Sequence, residues 1–397
     1  MGRTLRIFLQ AIGFALYFSS AWAQNAQFHA GPSHQDTFPE AGPDGFFIPS
    51  WRFDAGHMVV ASPVISAGVL YAGAKNGRFF ALDSKTGARK WVFQADAAIT
   101  STAAVGDGRI FFETDANTIY ALDLDGHELW HRATGGDLPF DAMAGFQTVE
   151  DWDYWASSPL LEDGELFAGS GDGKIYALDA ATGKEIWTFA TQGRVRSSPA
   201  SDGKTIYAGS FDGRLYALDR KTGKLRWSFQ TLGNKVFPQG SIQSSPTLAE
   251  GFVLFGARDY NLYALDAKTG REVWHQSVKN SWVPSTPAVD KGSVYTGSAD
   301  GRAAFAYELK TGKLLWTTPL DNLVFSSPAI AGGRLYLATM GGSVFAMDAQ
   351  TGKIVGYTPT EDRVLSTPWI EDGTIYFGNN DGFIYAMRAG PHRYPGG

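Results

Sequence analysis

The sequence predicts an all-β fold of repeated four-stranded modules, and three recurrences predict it. A Ser/Thr-Pro mark returns at Pro63, Pro159, Pro199, Pro246, Pro287, Pro328 and Pro368, with Ala103 in the second place. An acidic residue closing a strand returns as Asp83, Asp123, Asp179, Asp219, Asp266, Glu308 and Asp348. A tryptophan returns as Trp91, Trp130, Trp187, Trp227, Trp274 and Trp316, and Gly356 holds its place in the seventh module. The eighth module stops at Tyr385-Ala386-Met387-Arg388 without a fourth strand. Trp51-Arg52-Phe53, however, stands as far ahead of Pro63 as Trp187 stands ahead of Pro199. The missing strand is therefore expected at the front. The reading is an eight-bladed β-propeller of four-stranded antiparallel blades over 50–389, closed by the N-terminal strand joining the last blade.

Residues 165–187 show one module most clearly: strand, Gly-rich turn, strand, Asp-x-x-Thr-Gly turn, strand. The preceding Ser157-Ser158-Pro159 opens a further apolar strand. A four-stranded sheet of short strands cannot bury both faces alone, so copies must stack, and a closed ring leaves only short edges. In each Asp-x-x-Thr-Gly turn the carboxylate accepts from backbone N–H groups and the glycine supplies positive φ. Trp51, Trp91, Trp130, Trp187, Trp227, Trp274 and Trp316 are assigned to docking between blades, each indole N–H on a backbone carbonyl.

The ends read differently. Arg3 and Arg6, an apolar run from Ile7 to Phe18 and Ala21-Trp22-Ala23 make 1–23 a secretory signal, which places the mature protein in the periplasm or outside the cell. Residues 24–49 carry Gly31-Pro32, Pro39, Gly42-Pro43 and Pro49 without periodicity and read as a flexible leader. Residues 390–397 read as a frayed tail. With 0 cysteines, disulfides, thiolate metal sites and a lipidated N-terminus are excluded. A net charge of −6 argues against a nucleic-acid partner. The 7 histidines show no metal-binding spacing. No second apolar stretch suggests a membrane span, and a monomer is expected.

Two segments break the repeat of roughly 40 residues: 133–155 and 231–243. Both join the fourth strand of one module to the first strand of the next. Those connections share a face with the second-to-third turns, so one face is elaborated and the other stays uniform. Varied loops on a rigid scaffold are where binding residues concentrate. The candidate ligand- or partner-binding residues on that face are Trp152, Asp153, Tyr154, Trp155, Arg196, Phe237, Arg258, Asp259 and Trp282, since aromatics with arginine suit a recognition surface. The competing reading is that the longer insertion folds over and buries its aromatics as a plug. The seventh module, where Gly356 replaces tryptophan, offers an outer edge to which a partner strand can add.

Ala-Leu-Asp-Ala-Ala-Thr-Gly-Lys-Glu-Ile-Trp at 177–187 resembles the tryptophan-docking repeat of the PQQ-like, or quinoprotein, β-propeller superfamily, and the resemblance covers nearly all of 51–388. That superfamily holds PQQ-dependent alcohol dehydrogenases and non-enzymatic scaffolds of outer-membrane assembly, the latter closest in size. The dehydrogenase branch implies PQQ in the central funnel, Ca²⁺ held by carboxylate and amide oxygens, and a catalytic aspartate. Asp153 is the candidate base, with Trp152 or Trp155 as stacking platform. That branch also implies an adjacent cysteine pair, which this chain lacks, and a longer chain. The scaffold branch implies a lipidation cysteine, also lacking. The expectation is a non-catalytic exported binding or scaffold protein with no cofactor and no metal, recognising a protein, peptide or saccharide of the cell envelope. The alternative is a PQQ/Ca²⁺-dependent alcohol or sugar oxidoreductase.

Overall fold

A computed structural model describes residues 26–139, 153, 155–233, 241–278 and 281–390. The expected signal segment and nearly all of the tail lie outside the described residues. β1 (Thr37–Phe38) and β2 (Gly45–Asp54) precede the first repeat, and β3 (Val64–Ser66), β4 (Val69–Gly73), β5 (Arg78–Asp83) and β6 (Arg89–Gln94) form its antiparallel sheet. Five further repeats, at 104–133, 160–190, 200–230, 247–277 and 288–319, form separate four-stranded sheets in the same order. The last two repeats share one nine-stranded sheet. The stacked sheets make a β-propeller.

The shared sheet arises from β2. It pairs in parallel with Ile354–Pro359 through Gly45 and Phe46, then antiparallel with Phe383–Ala389 from Phe47 to Asp54. Trp51 thereby faces Ala386 as Trp91 faces Ala81. Gly356 now has a reason. A Cβ there would meet the Gly45 carbonyl oxygen at 2.1 Å, so a side chain would push β2 off that edge. The outer edge expected to accept a partner strand is taken by the chain's own β2.

Second and third strands are buried on both faces, as in β4 and β5, because each is sandwiched between neighbouring sheets. Fourth strands alternate exposed and covered residues, and the covered ones include the tryptophans. Each indole N–H donates to a carbonyl of the following repeat: Trp51 to Ser84, Trp91 to Leu124, Trp130 to Ala180, Trp187 to Arg220, Trp227 to Ala267, Trp274 to Leu309 and Trp316 to Ala349, at 2.7–3.1 Å. Six of these rings lie on the glycine of a Thr-Gly turn, and Trp91 lies on Gly126 of a Asp-Gly turn, so close that a Cβ would sit 2.5–2.8 Å from the indole. The turn carboxylates accept as expected: Asp83 Oδ1 takes the Thr86 N–H at 2.9 Å and its hydroxyl at 2.8 Å.

The Ser/Thr-Pro mark does two further jobs. Its first hydroxyl clamps the end of the second strand, as Ser197 Oγ does by accepting from Gly209 N at 2.7 Å and donating to Gly209 O at 2.8 Å. Its second hydroxyl accepts the backbone N–H of the corresponding residue in the preceding repeat. Thr102 accepts from Ser62, Ser158 from Thr102, Ser198 from Ser158, Ser245 from Ser198, Thr286 from Ser245, Ser327 from Thr286, Thr367 from Ser327 and Ser62 from Thr367, all at 2.9–3.3 Å. These bonds run in a closed circle around the axis.

The leader departs most from expectation. From Ala26 onward it is strapped across the inner end of successive sheets. Ala26 exchanges backbone bonds with Val105, the Gln27 side chain accepts from Leu161 N, and the carbonyls of Pro32, Ser33, Gln35 and Asp36 accept from Ser201, Leu248, Val289 and Ile330. Those are edge N–H groups of six innermost strands, which would otherwise be buried unpaired. Beneath the axis His29 Nδ1 lies 2.6 Å from Asp36 Oδ2, both buried, and His34 Nδ1 lies 2.9 Å from the Pro246 carbonyl. Burial, then the neighbouring His29, pulls His34 down to about 3, so it is neutral.

Candidate functional site

The second-to-third turns and the inter-repeat connections do share a face. Asp115 N donates to Ala98 O, Phe211 N to Arg194 O, Arg258 N to Ser241 O and Met340 N to Leu323 O, so each connection is sewn to a turn. The described ends of both insertions are fastened there. Asp137 and Asp153, from the longer insertion, meet arginines of the next connection, and Gly233 N donates to Asp259 Oδ2 at 3.2 Å.

The centre of this mouth is a four-residue ionic lattice. Arg196 Nε donates to Asp153 Oδ1 and Oδ2 at 3.1 and 2.9 Å, and Arg196 Nη2 to Asp137 Oδ2 at 2.8 Å. Arg194 Nη1 lies 3.1 Å from Asp153 Oδ2 and 3.0 Å from Asp137 Oδ2, while its Nε donates to Leu138 O at 2.8 Å. Asp153 is buried beneath this double clamp. Burial works against the Arg196 charge, but Asp153 and Asp137 outweigh it, and its pKa is raised. Arginine suits this role because its planar fork meets carboxylates bidentately.

Glu113 sits behind that lattice. It is 0% exposed, and neither carboxylate oxygen has a hydrogen-bond partner among the described residues. Burial, opposed by Arg196 and reinforced by Asp172, Asp115 and Asp137, pushes its carboxyl well above the usual range. In six other repeats this place holds glycine: Gly73, Gly169, Gly209, Gly256, Gly297 and Gly378. A Cβ at Gly73, Gly209 or Gly297 would strike Ile99, Ile242 or Val324 at 2.2–2.3 Å. The residue that replaces that Ile or Val in the third repeat is Trp155, and Trp155 packs elsewhere. It joins Val60, Ala299, Phe325 and Leu365 inside the axial channel, with its ring 6.2 Å from Phe325. Glycine-to-glutamate and valine-to-tryptophan thus occur at one junction.

Across the mouth Arg258 is stacked between Phe211 and Trp282, 5.1 Å from each ring, and its Nη2 donates to Gln243 Oε1 at 2.8 Å. Asp259 serves its own turn. It accepts from Tyr263, Asn261 and Gly233, as Asp172, Asp212 and Asp381 accept from Tyr176, Tyr216 and Tyr385. Its place is that of a turn anchor, with burial raising its pKa. Trp155 and Trp282 are both partly buried against the same axial cluster, and Arg196 and Arg258 are buried rather than displayed. Trp282 remains partly exposed. Trp152, Tyr154 and Phe237 lie outside the described residues. Sequence reasoning missed Asp137 and Glu113; the signal for Glu113 was a lone carboxylate in a glycine column.

Among the described residues, no constellation fits a quinone with its cation. Asp153 is held by two guanidinium groups. No group of three or more histidine or acidic side chains able to hold a metal occurs among the described residues. The axial cavity holds about 50 Å³, against roughly 300–1,000 Å³ for ordinary ligand sites.

Fold and repeat together define a PQQ-like β-propeller. Within that class the chain belongs to the β-propeller family of the beta-alanine-activating enzyme, whose family description matches residues 156–393; that of outer membrane protein assembly factor BamB matches 22–149. Assembly factor BamB of Nitrosomonas eutropha is 27% identical over 127 residues, covering 32% of this chain and 27% of that protein. Quinoprotein ethanol dehydrogenase of Pseudomonas putida is 32% identical over 159 residues, covering 35% of this chain and 25% of the enzyme. The chain thus spans about a quarter of the length of these curated relatives. Among solved structures, BamB from Moraxella catarrhalis superposes with a TM-score of 0.71 at 19% identity, covering 86% of this chain and 99% of that one. The quinohemoprotein alcohol dehydrogenase of Comamonas testosteroni gives 0.77 at 16%, covering 95% and 82%. These superpositions show the fold.

Proposed function

We propose that the chain is an exported, eight-bladed propeller, latched by β2, that works as a non-catalytic binding or scaffold protein in the cell envelope. The 133–155 and 231–243 face meets a protein, peptide or saccharide partner. The observation that carries this is the pairing of Asp153 with Arg194 and Arg196. It turns the carboxylate expected as the base into a brace that holds the insertion on the face. Similarity to BamB, an outer-membrane assembly factor by name, supports an envelope role. No helix among the described residues is long and apolar enough to cross a membrane. Similarity to quinoprotein dehydrogenases supports the competing reading, a PQQ/Ca²⁺ oxidoreductase.

The test is cross-linking capture from envelope extract with wild type, Trp282→Ala and Lys221→Ala, the last in a turn of the opposite face. Loss of a captured partner only with Trp282→Ala is expected. Equal capture by all three, or dye reduction with an alcohol after loading with PQQ and Ca²⁺, overturns the reading.

A further inference from the structure

The leader is held at one point by titratable groups. Residues 29–36 close on themselves beneath the axis: Asp36 N donates to His29 O at 3.2 Å, and His29 Nδ1 lies 2.6 Å from Asp36 Oδ2. From this loop the carbonyls of Pro32, Ser33, Gln35 and Asp36 reach the N–H groups of Ser201, Leu248, Val289 and Ile330 in four successive repeats. The loop is strained. His29, Ala30, His34 and Asp36 all have φ between 52° and 59°, a region costly to L-residues and kept only where the surroundings over-determine it. Those surroundings are a dense packing. His34 and Asp36 are each 1% exposed, and the Phe28 ring meets those of His29 and His34 edge-on at 3.9 and 5.1 Å.

His34 is the weak point. Its Nδ1 faces the Pro246 carbonyl at 2.9 Å, and a carbonyl only accepts. Nδ1 therefore carries the proton, and Nε2 has to take up the next one. The resulting imidazolium would be buried with its ring 6.0 Å from that of His29, while Asp36 is already paired with His29. Among the described residues His29 is the only charged group acting on His34, and likewise on Asp36. Glu162, Asp290 and Glu371, which end inner strands, act on neither, and Glu162 is engaged by Ser201 and Arg220. The wall that His29 and Asp36 share with Ser62, Val64, Thr102, Thr367 and Trp369 holds no further titratable side chain. We propose that residues 29–36 are an acid-released latch, in which a proton taken up at His34 frees the leader and uncovers the inner strand edges. The latch concerns the leader alone and does not depend on the partner face. Burial, then His29, holds the His34 value at about 3 in the latched state against the ordinary 6.5 when released. Its contribution is thus complete above 6.5 and is lost as pH falls toward 3. Asp36 acts in the opposite sense, because burial raises its carboxyl and acid relieves that cost.

The His34 contribution is therefore read against a variant that keeps Asp36. His34→Asn retains a donor toward Pro246 and tolerates the left-handed backbone, but it does not titrate. Hydrogen exchange of the full chain, expressed as protection over the intrinsic rate, measures release at the Ser201, Leu248, Val289 and Ile330 amides. From pH 7.5 to pH 5 wild type is expected to lose about 30-fold more protection there than His34→Asn, while the amides of β4 and β5 hold theirs in both proteins. An equal change at the strapped amides in the two proteins overturns the latch. So does an equal loss in β4 and β5, which would mean that the whole propeller opens. The His34 ring gives a check without substitution. Its nuclear magnetic resonance signals at pH 5 should be those of a neutral imidazole while the strapped amides are protected. A protonated His34 ring with those amides still protected also overturns the proposal.

Discussion

Glu113 shows how one residue can record a local rebuilding. A carboxyl whose folded pKa lies above its unfolded value binds more protons in the folded state. Its burial is therefore least costly below the unfolded value near 4.5 and becomes more costly as pH rises toward the folded one. Each unit of displacement is worth about 1.4 kcal/mol at most. Glu113→Gln keeps the volume and removes the titration. Its Tm relative to wild type should accordingly be higher at pH 8 than at pH 5, and a pH-independent difference would refute this. The glutamate was legible as an exception in a glycine column, but its partners were not. Arg196 comes from two repeats further on, and sequence spacing alone gives no sign that its side chain reaches back.

Two elements illustrate how irregular sequence becomes regular pairing. Gly356 looked like a weakened rim. It is instead the place where the parallel start of β2 needs a bare backbone. Gly356→Val should cost about 1–3 kcal/mol by overpacking, and amide exchange should quicken at Phe46 and Tyr357. Unchanged stability would mean that this pairing contributes nothing. The leader looked mobile because prolines and glycines erase periodicity. Periodicity, however, reports a side chain's burial on an element, whereas the leader is ordered mainly by its backbone carbonyls reaching separate strand edges. Docking tryptophans were legible for the opposite reason. Each repeats one local geometry, so each leaves the same mark in the sequence.

At the scale of the molecule, the axis is closed at one end by the leader and crowded at the other by Trp155. A chain beginning at Gly45 keeps β2 but loses the strap. Its unfolding should move to lower temperature, and exchange at the Leu161, Leu248 and Ile330 amides should rise together, because all three lose acceptors from the leader. Protection at those amides equal to that in the longer chain would show that the strap is dispensable. In the proposed function it is the mouth that meets the partner. Its chemistry is set by charges drawn from several repeats, so that it becomes a site only when the repeats stack.

The sequence by itself determined the all-β class, the repeating four-strand unit, the tryptophan–glycine docking and the sidedness of the insertions. All of these depend on contacts whose partners lie at fixed spacing, so the spacing reveals them. Only the tertiary structure decided that Asp153 is braced rather than free, that Asp259 anchors its own turn, that the leader is a strap and that a circle of hydroxyls surrounds a small chamber. Those outcomes depend on which distant groups converge after the sheets stack, and convergence in space leaves no period along the chain.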